Sequence, residues 1–152
     1  MRLIIAVVGC ELVGILGGLF TAPAIKAWYA YLIKPSFSPP NWLFGPVWTA
    51  LYFLMGVAVY LIWIRSGNKK KIETALNFFI AQLVFNFLWS LLFFGLHSPL
   101  LAFIDIIILW QLIAITIIKF YQLSKPAAYL LVPYLAWVSF AAILNAAIVL
   151  LN

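Results

Sequence analysis

The amino-acid sequence predicts an all-α integral membrane protein: a single domain over residues 1–152, built as a bundle of five transmembrane helices. Three observations carry this. Five long apolar runs cover residues 3–25, 44–64, 72–94, 99–118 and 127–151, each close to the ~20 residues an α-helix needs to cross the hydrocarbon core. Almost every charge falls between the runs. The composition is 68% hydrophobic and 8% charged, with mean hydropathy +1.18, far from the roughly 25% charge of a globular chain. Backbone in lipid must satisfy its own hydrogen bonds, so each run is helical, and none shows the period-2 alternation of a barrel strand.

Span one (residues 3–25) begins after Arg2 and continues far past the ~7–15 apolar residues of a signal peptide. It carries Ala6, Cys10, Gly14, Gly18 and Ala22. Four-residue spacing puts these on one face, where another helix can approach closely. Packing inside the bundle is the first reading of this stripe, and a dimer interface the second.

The connection 26–43 is aromatic and stiff. It holds Trp28, Tyr29, Tyr31, Phe37 and Trp42 together with Pro35, Pro39 and Pro40. An interfacial aromatic belt needs no fixed loop shape, whereas proline fixes one, which favours a lid. Span two (44–64) then presents Trp48, Tyr52, Met55 and Val59 on one face. Span three (72–94) presents Gln82, Asn86, Trp89 and Ser90, and span five (127–151) presents Pro133, Trp137, Ala141, Leu144 and Asn145. Span four (99–118) contributes Asp105. The tight connections Leu96–Ser98 and Gln122–Pro126 make their flanking spans antiparallel neighbours.

Polar groups inside a membrane are costly and face the protein interior. At 1.5 Å per residue, Asn86, Asp105 and Asn145 all fall roughly 9–14 Å below the surface nearest the lid. Trp48 and Trp89 reach a similar depth, and Trp137 lies deeper. Four helices thus aim polar or indole groups at one half-layer under the lid, which predicts a pocket there. For each Asn alone, interhelical glue is the simpler role. For Asp105 the plain reading is a hydrogen bond to an Asn, Trp or Tyr. Glu11 falls in the inner half of span one, away from this layer, and is assigned no role.

Charge settles the expected topology. Arg2, Arg65, Lys69, Lys70, Lys71, Lys119 and Lys125 share one side if the chain crosses five times; Lys26 and Lys34 take the other. The positive-inside rule makes the amino terminus cytoplasmic and the carboxyl terminus external. The net charge of +6 is therefore orientational and gives no reason to expect nucleic acid as a partner. One cysteine, Cys10, and one histidine, His97, leave no material for a disulfide or for a Cys- or His-based metal site. No hydrolytic triad or phosphate loop is visible.

Three stretches carry a family resemblance: Lys34–Gly56 (KPSFSPPNWLFGPVWTALYFLMG), Gln82–Gly95 (QLVFNFLWSLLFFG) and Pro133–Asn145 (PYLAWVSFAAILN). Together with Trp28-Tyr29 and Asp105 in register, they resemble the signature blocks of the translocator protein family, the tryptophan-rich sensory proteins or peripheral benzodiazepine receptors. The resemblance covers essentially the whole chain. It implies a five-helix bundle, usually a homodimer in membrane lipid, that binds porphyrins such as protoporphyrin IX and heme as ligands and requires no other cofactor. It also implies binding of isoquinoline and benzodiazepine ligands in a pocket under the first loop. By matching position the pocket residues are Tyr31, Trp48, Asn86, Trp89, Trp137, Ala141 and Leu144, with Asp105 nearby; Tyr52 joins them from the span-two stripe. Animal members follow the Leu-Asn of span five with Tyr and a basic residue, a proposed cholesterol motif. Here Leu144-Asn145 is followed only by Ala146 to Asn152, without either, so cholesterol is not an expected partner. The short tail fits a bacterial member in the cell membrane.

The resemblance leaves three roles open. A receptor holds a flat tetrapyrrole on its indoles. An enzyme of this kind works photochemically, with Trp48 or Trp137 exchanging electrons with excited protoporphyrin IX and degrading it. A transporter moves tetrapyrroles or other small apolar molecules across the membrane, but an odd span count and no internal repeat weigh against the usual transporter architecture.

Overall fold

A computed structural model describes residues 1–152. It consists of helices without strands. α1 spans Arg2–Ala27, followed by a 3-10 turn, Tyr29–Tyr31. α2 spans Asn41–Trp63. α3 spans Lys69–Ser90 and widens into a π turn at Leu91–Gly95. α4 spans Pro99–Leu123, α5 Lys125–Leu130 and α6 Val132–Leu151. Five helical units are long and apolar enough to cross a membrane, with α5 and α6 together forming the fifth.

The helices overrun the apolar runs, for reasons hydropathy does not see. α3 starts at Lys69 rather than residue 72, because the Asn68 side chain accepts a hydrogen bond from the Lys71 N–H at 3.2 Å and caps the helix before the apolar stretch begins. α4 continues five residues beyond 118, so the predicted Gln122–Pro126 connection shrinks to Ser124 alone. Ser124 Oγ then caps α5 from the Ala127 N–H at 3.4 Å. The fifth span, expected as one helix, breaks at Leu131. Pro133 has no N–H to donate to the carbonyl four residues back, and its ring crowds that turn.

Loop one, the α3–α4 connection and the carboxyl terminus share one end of the bundle. There the Trp28 indole stacks on the His97 ring at 4.6 Å, and Asn152 forms a two-point clasp with Ile33: the Ile33 N–H donates to Asn152 Oδ1 at 3.1 Å, and Asn152 Nδ2 donates to the Ile33 carbonyl at 2.9 Å. Aromatic and basic residues mark the opposite end, where the Arg2 guanidinium lies over Trp63 at 5.5 Å and the Lys125 ammonium over Tyr121 at 5.5 Å.

Small residues decide how the helices meet. α1 and α2 touch most closely at Gly56, where a β-carbon would fall 2.5 Å from Val7 Cα. Of the span-one stripe, Cys10 is buried in the core and Gly14 takes the Tyr52 ring, 2.6 Å from where its β-carbon would be; around Gly18 there is nothing within 4 Å. The stripe thus packs α1 on α2 in its inner half and faces open space above. Most of the core lies between α2, α4 and the fifth span, centred on Met55, Ala58, Ile106, Ile113, Val138 and their neighbours.

Candidate functional site

The open space above Gly14 is a cavity of about 480 Å³ between α1, α2, α3 and the foot of loop one. α1 supplies its glycine-rich wall, α2 supplies Trp42, Phe44, Trp48 and Tyr52, and α3 with its π turn supplies Asn86, Trp89, Ser90 and Phe94. A second, much smaller cleft of about 30 Å³ lies beyond the first, walled by Trp137, Ala141, Leu144, Asn145 and Ile148 of α6. Tyr29, Phe44, Trp48, Trp89 and Phe94 line both and form the partition between them.

The predicted residues therefore separate into groups. Trp48 and Trp89 stand in the partition. Tyr52 and Asn86 line the larger cavity only, and Trp137, Ala141 and Leu144 line the small cleft only. The Trp48 and Trp137 pair thus flanks a cleft that as it stands holds about one water-sized volume. Phe44 meets Trp137 edge-on at 6.1 Å.

Two predicted residues lie elsewhere. Tyr31 is 83% exposed and lines neither cavity; Tyr29, buried at 3%, takes its place under the loop. A 3-10 turn advances three residues per turn, so side chains two apart point in different directions. Asp105 is buried between α4 and its neighbours, lines neither cavity, and neither carboxylate oxygen has a hydrogen-bond partner. The expected Asn, Trp or Tyr partner is not there, because those groups bond to one another instead.

Their network explains the intramembrane polar residues. Tyr52 Oη donates to Asn86 Oδ1, and Asn86 Nδ2 donates to Tyr134 Oη at 2.7 Å. Tyr134 Oη in turn donates to Gln82 Oε1 at 2.7 Å, and Gln82 Nε2 reaches Met55 Sδ at 3.8 Å. A buried chain of polar groups thus ties α2, α3 and α6 together and fixes Asn86 at the cavity wall. A separate pair does the same for Trp89: its indole N–H donates to Asn145 Oδ1 at 3.0 Å, while Asn145 Nδ2 donates to the Pro99 carbonyl at 2.8 Å. The glue reading is right for both Asn residues, and both also border a cavity.

Loop one contributes Tyr29 to both cavities. Lys34 Nζ donates to the Tyr29 carbonyl at 2.9 Å and the Leu32 carbonyl at 3.2 Å, and lies 4.8 Å from the Tyr29 ring centroid. The Tyr29 hydroxyl faces Ser38 Oγ at 3.5 Å; burial pushes this phenol above its ordinary value, partly opposed by the serine. Phe93, also buried, stacks on Trp89 at 5.2 Å.

Sequence reasoning missed Tyr134, the fully buried centre of the network, although it falls at helical spacing with Ala141 and Asn145 on the buried face of α6. It also missed Phe93 and Phe94 at the end of span three, although Phe93 continues the Gln82, Asn86, Trp89 and Ser90 stripe at helical spacing. Glu11, placed away from the site by depth along its span, lines the larger cavity.

Residues 6–151 match the TspO/MBR family. The chain is 46% identical to the tryptophan-rich protein TspO of Archaeoglobus fulgidus, across 100% of this chain and 97% of that protein. It is 41% identical to the translocator protein of Ovis aries, across 91% of this chain and 85% of that protein. It is also 41% identical to the tryptophan-rich sensory protein of Cereibacter sphaeroides, across 78% and 72%. With that similarity running through the first loop and all five membrane-spanning units, the chain belongs to the TspO/MBR family.

Proposed function

We propose that this protein is a membrane receptor that binds porphyrins, protoporphyrin IX and heme among them, and isoquinoline- or benzodiazepine-type ligands in the cavity under loop one. The observation that carries this reading is the cavity itself. Its volume of about 480 Å³ falls in the ~300–1,000 Å³ range of ligand sites. Indoles wall it, and a few anchored polar groups could fix a guest's edge. Flat guests gain from stacking on aromatic faces beyond the area they bury. A tetrapyrrole fits best if Trp48 or Phe44 turns aside and joins the large cavity to the small cleft, bringing the ring against Trp137.

In this reading loop one faces outward from a bacterial-type cell membrane, the amino terminus is cytoplasmic, and the protein works as a homodimer. The lysine-rich end opposite the lid supports the orientation. A transporter reading gains less, because the one broken span breaks at Leu131, close to the basic end and away from the cavity.

The test is spectroscopic. Purified protein is titrated with protoporphyrin IX in darkness and under illumination, alongside Trp48→Phe and Trp137→Phe. Saturable binding in darkness is expected. A receptor leaves the spectrum stable in light; photochemical breakdown yields a new product, and its loss in the phenylalanine variants with binding within about 1–2 kcal/mol of the parent would assign the electron transfer to those indoles. Absence of saturable porphyrin binding would overturn the proposal.

A further inference from the structure

We propose that Glu11 makes the inner end of the larger cavity a recognition site for a basic nitrogen, so that the cavity selects lipophilic aromatic amines over neutral molecules of the same shape. The proposal rests on the cavity being a ligand site and adds a chemical preference to it.

The geometry is a wedge. α1 and α2 are closest at Val7 and Gly56, still touch at Gly14 and Tyr52, and are apart at Gly18. Glu11 lies between the first two contacts, one turn below Gly14, and is the α1 residue farthest from the loop that lines the cavity. From Glu11 to Ile25, the other end of the α1 wall, is about 21 Å along the helix axis, long enough for an elongated aromatic guest.

The electrostatics are one-sided. Glu11 is the only carboxyl group lining the cavity, and no Lys, Arg or His lines it. The nearest cation on the same helix is Arg2, about 14 Å away along the axis, with its guanidinium over Trp63. Glu11 is partly buried and has no basic group beside it in the cavity, so its carboxylate lacks the partner that would stabilise its charge. A ligand ammonium supplies the missing partner. Tyr52, Trp48 and Trp89 line the same cavity, and aromatic rings carry negative potential on their faces, which favours a cationic guest. An anionic group at this end meets the opposite, so an acidic guest must place its carboxylates toward the loop.

The experiment uses the full-length protein in phosphatidylcholine nanodiscs, which carry no net lipid charge to collect amines. Two probes share one phenylisoquinoline skeleton, one bearing a neutral carboxamide and the other an aminomethyl group. The amine should bind the parent protein more tightly, and Glu11→Gln should reduce the amine-to-amide affinity ratio by about tenfold or more while amide affinity stays within about threefold. Glu11→Ala should behave like Glu11→Gln. An unchanged ratio with amide binding intact would overturn the role of Glu11 and leave the receptor reading standing. Parallel loss of both probes in both variants would make Glu11 a structural support and overturn the proposal. If neither probe binds the parent protein, the cavity reading itself fails and takes this one with it.

Discussion

Tyr134→Phe is the sharpest test of what holds the site together. The Tyr134 side chain is 1% exposed, and its hydroxyl both accepts from Asn86 Nδ2 and donates to Gln82 Oε1, each at 2.7 Å. Phenylalanine keeps the ring, including its edge-on contact with Trp48 at 6.3 Å, and removes only the oxygen. Two interhelical hydrogen bonds at about 0.6 kcal/mol each set the lower bound, near 1 kcal/mol. Stranding two buried amide groups, at ~1–3 kcal/mol each, sets an upper bound of several kcal/mol. A loss of about 1–4 kcal/mol is therefore expected, or several degrees in Tm at roughly 2–4 °C per kcal/mol. The protein carries its own reporter, since Cys10 is the single cysteine and is buried at 3%. A thiol-reactive dye that fluoresces on labelling Cys10 reads unfolding during a thermal ramp. Gln82→Leu should also destabilise, but the double variant should recover part of the loss, because it removes both partners of one bond. A Tyr134→Phe protein as stable as the parent, or strictly additive losses in the double variant, would refute the claim that this network is satisfied and cooperative.

Further outcomes follow from the same structure. Ala141→Thr adds bulk and a hydroxyl to the wall of the small cleft and should weaken binding of a large isoquinoline by about 1–3 kcal/mol with the fold intact; unchanged affinity, measured by displacement, would place the guest entirely in the α1-side cavity. Asp105→Leu should be neutral or stabilising within about 1 kcal/mol, since it removes a buried carboxyl group with no partner; a drop in Tm of more than several degrees would reveal a partner at that carboxylate. For topology, cysteine at Leu96 should be labelled from outside intact cells and cysteine at Ser66 should not, with the reverse overturning the assignment. Both positions are exposed and lie in connections at opposite ends of the bundle.

Composition and spacing by themselves determined the membrane class, the five spans and the common end shared by loop one and the carboxyl terminus. The reason is that lipid imposes one strong rule on every spanning segment, apolar outside and helical throughout, and charges can gather only where the rule is lifted. Stripes on α2, α3 and α6 also identified Trp48, Tyr52, Asn86, Trp89, Trp137, Ala141 and Leu144 as inward-facing, because a 3.6-residue period survives wherever a helix is regular. Tertiary structure alone decided how those stripes divide between two cavities, since that depends on where α1 leaves α2, above the contacts of Gly56 with Val7 and of Gly14 with Tyr52. It also decided where local geometry departs from the regular helix, as in the 3-10 turn that exposes Tyr31 and buries Tyr29. Glu11 shows the same limit from another side. Depth along a helix is written in the sequence, but which helices part at that depth is fixed only when the side chains of all of them are packed together.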